Sequence, residues 1–306
     1  MSEAPARPAE ARYVRINSLL DEWDADADAR AEARKTGQPL GPMTGLVRLD
    51  AALGSALEPG LHQLHGNTGV GKTAFALQVA ASCGCPCLYV SCEMRALELL
   101  RRITARVTST FLGKFKSGEL APEQSRLLVR QAAKATPALA LLDATVAPAS
   151  AKLIGDRAVL NKVTSSGDNA DAPPHHLIII DSLNSWAEGA YPGVPEYEQL
   201  NTALAALREV AALLACPILI INERNRSGME KGGVNSGAGS RKIEYGAESV
   251  LDLDREKDKE GKPLPEDASG EVSITLRIGK NRNGTTGKPM ELKFNGALQR
   301  YKETLF

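Results

Sequence analysis

The sequence predicts an α/β fold: a mainly parallel central sheet flanked by helices on both faces, with a C-terminal β-hairpin region. Three observations carry that expectation. The runs inside "HHLIIID" and "CPILIIN" are short and almost wholly apolar, as in parallel strands buried on both faces. Helical patterns separate these runs, so strands and helices alternate along the chain. The closing stretch "EVSITLRIGKNRNG…KPMELKFNG" instead alternates apolar and polar residues around a turn, the pattern of antiparallel hairpins.

Size and charge bound the function classes. The chain has 306 residues, 43% hydrophobic and 24% charged, enough to bury a substantial core. Lysine plus arginine and aspartate plus glutamate both number 37, so no global field draws the molecule to a polyanion, and any such site is a local patch. No run reaches the roughly 18 apolar residues of a membrane helix, so no membrane partner is expected. The opening "MSEAPARPAEARYVRINSLL" lacks a basic start followed by an apolar core, so a cytoplasmic location is expected.

In order, residues 1–17 read as a disordered N-terminus, rich in Pro, Ala and Glu over residues 1–12. Residues 18–43 read as a linker helix and linker: a helix from Ser18, its cap, to about Lys35, and then the glycine- and proline-rich Gly37–Gly45. Ile16, Leu19, Leu20 and Trp23 recur at i, i+3, i+4 and i+7, but the rest of this helix is charged. It packs either on its own domain or as an arm on a neighbouring subunit. Residues 44–306 form the main domain. Its expected strands are "GLHQLHG", "PCLYVSCEM", "ALALLDAT", "HHLIIID" and "CPILIIN". Its helices span residues 72–82, about 96–107, 122–135, 150–163 and 197–214.

The chain has five cysteines, three in Cys83-Gly-Cys85-Pro-Cys87. A metal site there is one reading, but C-x-C-x-C matches no zinc spacing and no histidine lies near it. The simpler reading makes Gly84 the stop of the preceding helix, Pro86 the lead into a strand, and Cys87 and Cys92 small buried residues.

The sharpest motif is Gly66-Asn67-Thr68-Gly69-Val70-Gly71-Lys72-Thr73, which fits G-x-x-x-x-G-K-S/T between a strand and a helix. Its glycines let backbone N–H groups converge at a positive helix terminus and cradle phosphate oxygens. The motif assigns Lys72 to the β and γ phosphates of a nucleotide such as ATP and the Thr73 hydroxyl to Mg²⁺. Hydrolysis needs a second magnesium anchor, a base for water and a cation for the transition state. Asp181, ending an apolar strand, supplies the anchor. Glu93, just beyond "LYVSC", is either the base or a helix-terminal charge stabilised by the dipole.

These residues carry a resemblance. The blocks "TGLVRLDAALG…GLHQLHGNTGVGKTAFALQVA", "YVSCEM", "LIIIDSLNS", "CPILIINERNR" and "IGKNRNGTTGKPMELKFNG" follow one another as in DnaB-type replicative helicases, and the chain is similar to their C-terminal RecA-like motor domain from about residue 44 to 303. The resemblance implies a RecA-like P-loop ATPase using ATP and Mg²⁺. It also implies a homo-oligomer, a hexameric ring on single-stranded DNA with ATP sites between subunits. Ser91-Cys92-Glu93-Met94 is similar to the family's base motif, which favours Glu93 as base. Arg282 corresponds to the finger that a subunit inserts into its neighbour's site, and Lys280 to its companion; from the sequence alone Arg282 reads as an exposed turn arginine.

Two departures stand out. Where the family has Ser-Gln, with glutamine sensing the γ-phosphate, this chain has Asn222-Glu223, and a glutamate there repels phosphate unless a cation such as Arg224 or Lys280 intervenes. Only about 17 residues of this sequence precede the first helix, so the family's primase-binding N-terminal domain is expected to be missing. Residues 224–242 hold Arg224, Arg226, Lys231, Arg241 and Lys242 on a glycine-rich backbone, suited to sequence-independent DNA contact or simply a surface loop. The acid-rich 244–271 after it reads as a solvated outer turn. The alternative to a helicase is a non-translocating RecA- or KaiC-like regulatory ATPase that switches a protein partner. A recombinase-type filament is a third class. The sequence names no loader or other replication protein.

Overall fold

The structure, a computed structural model, describes residues 13–166, 175–223 and 246–304. It divides into two compact units, residues 1–40 and 41–306. In the first, a 3-10 turn (Ile16–Leu19) leads into α1 (Leu20–Thr36), which ends where Gly37 turns left-handed and donates its N–H to Ala33 O. Ser18 is not the cap expected of it. Its hydroxyl turns back to donate to Arg15 O at 2.8 Å, because the tight turn places it one residue before the cap position, which Leu19 takes. No residue of α1 is buried, and Ile16, Leu20 and Trp23 are exposed.

The second unit runs α2 (Val47–Ala52), β1 (Gly60–Gly66), α3 (Lys72–Ser82), β2 (Cys87–Ser91), α4 (Ala96–Thr108), α5 (Leu112–Ser117), α6 (Pro122–Ala135) and β3 (Leu139–Asp143). It continues through α7 (Ala151–Ser166), β4 (Leu177–Asp181), α8 (Leu183–Ala190), α9 (Glu196–Leu214) and β5 (Pro217–Glu223). It closes with β6 (Ser249–Arg255), β7 (Glu271–Asn281), β8 (Met290–Asn295) and β9 (Arg300–Glu303). The nine strands form one sheet in the order β3-β2-β4-β5-β1-β6-β7-β8-β9. Neighbours from β3 to β6 are parallel and those from β6 to β9 antiparallel.

The division follows from side-chain patterning. Every residue of β2 and β4 is buried, because helices cover both faces there. One face packs Leu64, Tyr89 and Ile179 under Phe75, Leu99 and Ile103, and the other packs Val90, Ile178 and Ile220 under Ile154, Trp186 and Leu207. Along β7 only Val272, Ile274, Leu276 and Ile278 turn inward, which is the expected hairpin alternation.

The acid-rich stretch 244–271 is not simply an outer turn. It contains β6, a strand set between β1 and β7 with Val250, Leu251 and Leu253 buried. Its acids alternate with those apolar residues and find partners: Arg277 lies 3.0 Å from Asp254, and His65 lies 3.7 Å from Asp252. Net composition hid a period-two pattern. Cys87 is buried as expected, whereas Cys92 is only partly so.

Register decides what lies where. β1, β2, β4 and β5 end together at Gly66, Ser91, Asp181 and Glu223, so their following loops open on one edge of the sheet. β7 runs the other way, so its last residues lie beside the start of β6.

Candidate nucleotide site

The loop from Gly66 to Lys72 connects β1 to α3 and brings the backbone amides of Gly66–Thr73 to the helix N-terminus. Gly71 has φ +96°, and a Cβ there would lie 2.6 Å from Tyr301 Oη and 2.9 Å from Phe294 Cε1. That close approach reveals the loop's support. Tyr301, on β9, donates its hydroxyl to Val70 O at 2.6 Å, stacks on Phe294 at 4.5 Å and meets Phe75 edge-on at 5.4 Å. Gln78 of α3 clasps the Tyr301 backbone, accepting from its N–H at 2.9 Å and donating to its carbonyl at 3.1 Å. The last hairpin thus buttresses the phosphate loop from beneath.

Lys72 curls over this loop, its ammonium donating to Gly66 O at 2.8 Å and Asn67 O at 3.2 Å. The charge sits against the loop and above the helix's positive end, where an anion gains from both. Thr73 donates its hydroxyl to Asp181 Oδ2 at 2.9 Å, and Tyr89 donates to the same oxygen at 2.6 Å. Burial raises the Asp181 pKa, opposed by the hydrogen bonds from Tyr89 and Thr73. A buried carboxylate beside a hydroxyl is a hard-oxygen donor set that fits Mg²⁺, which takes few protein ligands and keeps its waters.

Glu93 lies across the crevice. Its Oε1 accepts hydrogen bonds from the hydroxyls of Ser182 and Ser185, the latter at 2.7 Å, both at the start of α8. It does not seat the helix that follows it; Asp143 does that, accepting the Ala96 N–H at 2.8 Å. Lys72, Thr73, Glu93, Asp181, Phe294 and Gln299 are among the residues lining one cavity of about 340 Å³. Thr68 and Gly69 reach it as well.

Of the other expected site residues, Asn222 and Glu223 stay at the loop end of the sheet, whereas Arg282 and Lys280 lie away from it. Asn222 is buried and pairs with His65, and the neighbouring Ile221 lines the cavity. Side chains alternate along a strand, so Asn222 points to the opposite face of the sheet. Glu223 ends β5 beside Gly66. Arg282 pairs with Glu248, Nη1 to Oε1 at 2.9 Å, and its N–H donates to Glu248 O. Glu248 in turn bonds Leu61, five residues before Gly66, which at about 3.3 Å per residue puts Arg282 roughly 16 Å down the sheet from its own phosphate loop. Lys280, registered with Val250, lies toward the same far end. Arg224, Arg226, Lys231, Arg241 and Lys242 fall outside the described residues.

Sequence reasoning missed Tyr89, Ser182, Ser185, Phe294 and Tyr301. Only the two serines left a signal, as the S-x-x-S after Asp181. The aromatics lie in strands whose patterns carry no site signal. Arg102 donates to Gln299 Oε1 at 2.6 Å on the cavity wall.

The fold and the loop define a P-loop nucleotide-binding α/β domain with a RecA-like sheet. Residues 41–303 match the DnaB-like helicase C terminal domain, and the chain belongs to that family. Solved structures agree in fold. A solved ATPase domain is 18% identical with a TM-score of 0.72, over 92% of this chain and 98% of that one. A DnaB-like replicative helicase described with its interactions with primase is 18% identical with a TM-score of 0.70, over 95% of this chain and 67% of that one. A KaiC-like protein from the hyperthermophilic archaeon Pyrococcus horikoshii is 16% identical with a TM-score of 0.55, over 86% and 97%. No curated protein matches the sequence. No helix among the described residues is long and apolar enough to cross a membrane.

Proposed function

We propose that the chain is an ATP-hydrolysing motor that assembles as a ring, a hexamer, on single-stranded DNA. Thr73 and Asp181 hold magnesium, whose chemistry when bound is to neutralise charge between the phosphates. Lys72 binds the phosphates, and Glu93 orients and deprotonates the attacking water. The observation that carries the ring is the position of Arg282. Anchored by Glu248 at the far end of the sheet, it serves a site only on another copy, so ATP lies between subunits. The exposed Ile16, Leu20 and Trp23 support reading residues 18–43 as an arm laid on a neighbour, with residues 44–306 as the motor domain. The basic loop 224–242 is the proposed contact to the DNA backbone.

The deciding experiment is ATP turnover with and without single-stranded DNA at low salt, with Lys72→Ala as control. Turnover that Lys72→Ala abolishes and single-stranded DNA stimulates is the expected result. Lys72-dependent turnover indifferent to DNA would replace this reading with a regulatory ATPase that switches a protein partner.

A further inference from the structure

The turn between α3 and β2 gathers three thiols. Cys83 follows the last residue of α3 and Cys87 is the first of β2. Between Cys83 and Cys85, Gly84 has φ +74°, a left-handed step that folds the two flanking side chains together. Their sulfurs lie 3.8 Å apart, and Cys83 Sγ also donates to Cys85 O at 3.2 Å. Cys83 and Cys87 are buried, and Cys85 is partly exposed. Cys83 and Cys85 both line an open cavity of about 290 Å³, with Pro137 and Ser166 also in its wall.

The electrostatics single out Cys83. Hydrogen bonds from the Cys85 and Cys87 thiols lower its pKa, and the same contact together with burial raises that of Cys85. Burial pushes Cys92 and Cys216 up to about 12. A thiolate, rather than a thiol, attacks an oxidant.

We propose that Cys83 and Cys85 are a redox-modification site, a dithiol that hydrogen peroxide converts to an intramolecular disulfide. Cys83 Sγ attacks one peroxide oxygen; the O–O bond breaks, and the leaving hydroxide takes the proton that Cys83 gives up, forming water. Cys85 Sγ then attacks the sulfenic acid on Cys83, forming the S–S bond and expelling hydroxide, which leaves with the Cys85 proton as a second water. Two thiols lose two electrons and peroxide is reduced to two waters. Closure requires the sulfurs to approach by roughly 2 Å, to the usual bond length of about 2.05 Å. The turn it locks joins the helix carrying Lys72 and Thr73 to the strand leading to Glu93.

The test uses the reduced full chain, treated with hydrogen peroxide, quenched with catalase, denatured and labelled with N-ethylmaleimide. Intact mass should show two fewer labels than the five thiols of the reduced protein, and unreduced peptide mapping should place the new bond between Cys83 and Cys85. The loss should persist in Cys92→Ala and Cys216→Ala, and reverse with dithiothreitol. In Cys85→Ser, a sulfenic acid at Cys83 should be trapped by dimedone in place of the disulfide. A bond mapped to any other pair, or five labels retained after peroxide treatment, would overturn the proposal; both readouts come from the unmutated chain and need no variant to fold.

Discussion

The Tyr301 hydroxyl donates to the Val70 carbonyl at 2.6 Å, tying the last strand of the sheet to the phosphate loop across almost the whole domain. The loop's shape is therefore held by a residue far from it in sequence. Tyr301→Phe keeps the stacking on Phe294 and removes only this buried hydrogen bond, leaving Val70 O unsatisfied. Nucleotide affinity should fall about fivefold to tenfold, as expected of roughly 1 kcal/mol. Titration calorimetry with ADP checks this; unchanged affinity with a lowered melting temperature would reduce Tyr301 to a packing residue.

Glu93 is held by two hydroxyls at the start of α8. Ser185→Ala removes one of them without touching the phosphate loop. The expected outcome is a several-fold drop in kcat with KM for ATP nearly constant, since one hydrogen bond is worth about 1 kcal/mol. Steady-state kinetics separate the two terms. A change confined to KM would move Glu93 from water activation to nucleotide binding.

Arg282 and Glu93 stand at opposite ends of the sheet, so loss of either should be complemented by a neighbour that retains it. Arg282→Ala should leave nucleotide binding nearly intact and cut hydrolysis, and Glu93→Gln should do the same. Mixed in equal amounts, the two inactive proteins should regain turnover, because roughly a quarter of the interfaces in a randomly mixed ring pair an intact Glu93 with an intact Arg282. A mixture no more active than its parts argues for a different source of the cation.

His62 predicts an acid limb of stability. Its Nε2 lies 2.7 Å from Glu58 O and its Nδ1 2.8 Å from Ser249 Oγ. A carbonyl only accepts, so Nε2 carries the proton and Nδ1 accepts the serine hydroxyl in the neutral ring. Burial lowers the pKa from 6.5 to about 4. The unfolded chain therefore takes up the proton first as pH falls. The neutral ring's contribution is complete above pH 6.5, declines between 6.5 and about 4 by roughly 1.4 kcal/mol per pH unit, and levels off below. Urea unfolding across that range should show His62→Gln with a shallower slope than the parent. Parallel curves would assign the acid limb to other groups, His176 among them, whose pKa burial also lowers to about 4.

Much of the architecture was legible in the residues. Apolar runs such as Leu177–Asp181 placed the parallel strands, and alternation placed β7 and β8, because a strand's burial on one or two faces is written directly into its period. The strand β6 was not, since Asp252, Asp254 and Arg255 made its composition look like a turn and its buried alternation is short. Helices α2, α5 and α8 are too short for a periodic signal to accumulate.

The site divides in the same way. By itself the sequence determined the phosphate loop, with Lys72 and Thr73 at the head of a helix, because backbone geometry and spacing there are local. It also determined the family, through the order of its blocks. Only the tertiary structure decided that Tyr89 and Thr73 converge on one oxygen of Asp181, that Ser182 and Ser185 hold Glu93, and that Tyr301 props the loop. It also decided that Arg282 faces away from its own loop, at the far end of the sheet. Those relations depend on strand order and register, which bring together residues from 89 to 231 positions apart and leave no periodic trace in the chain.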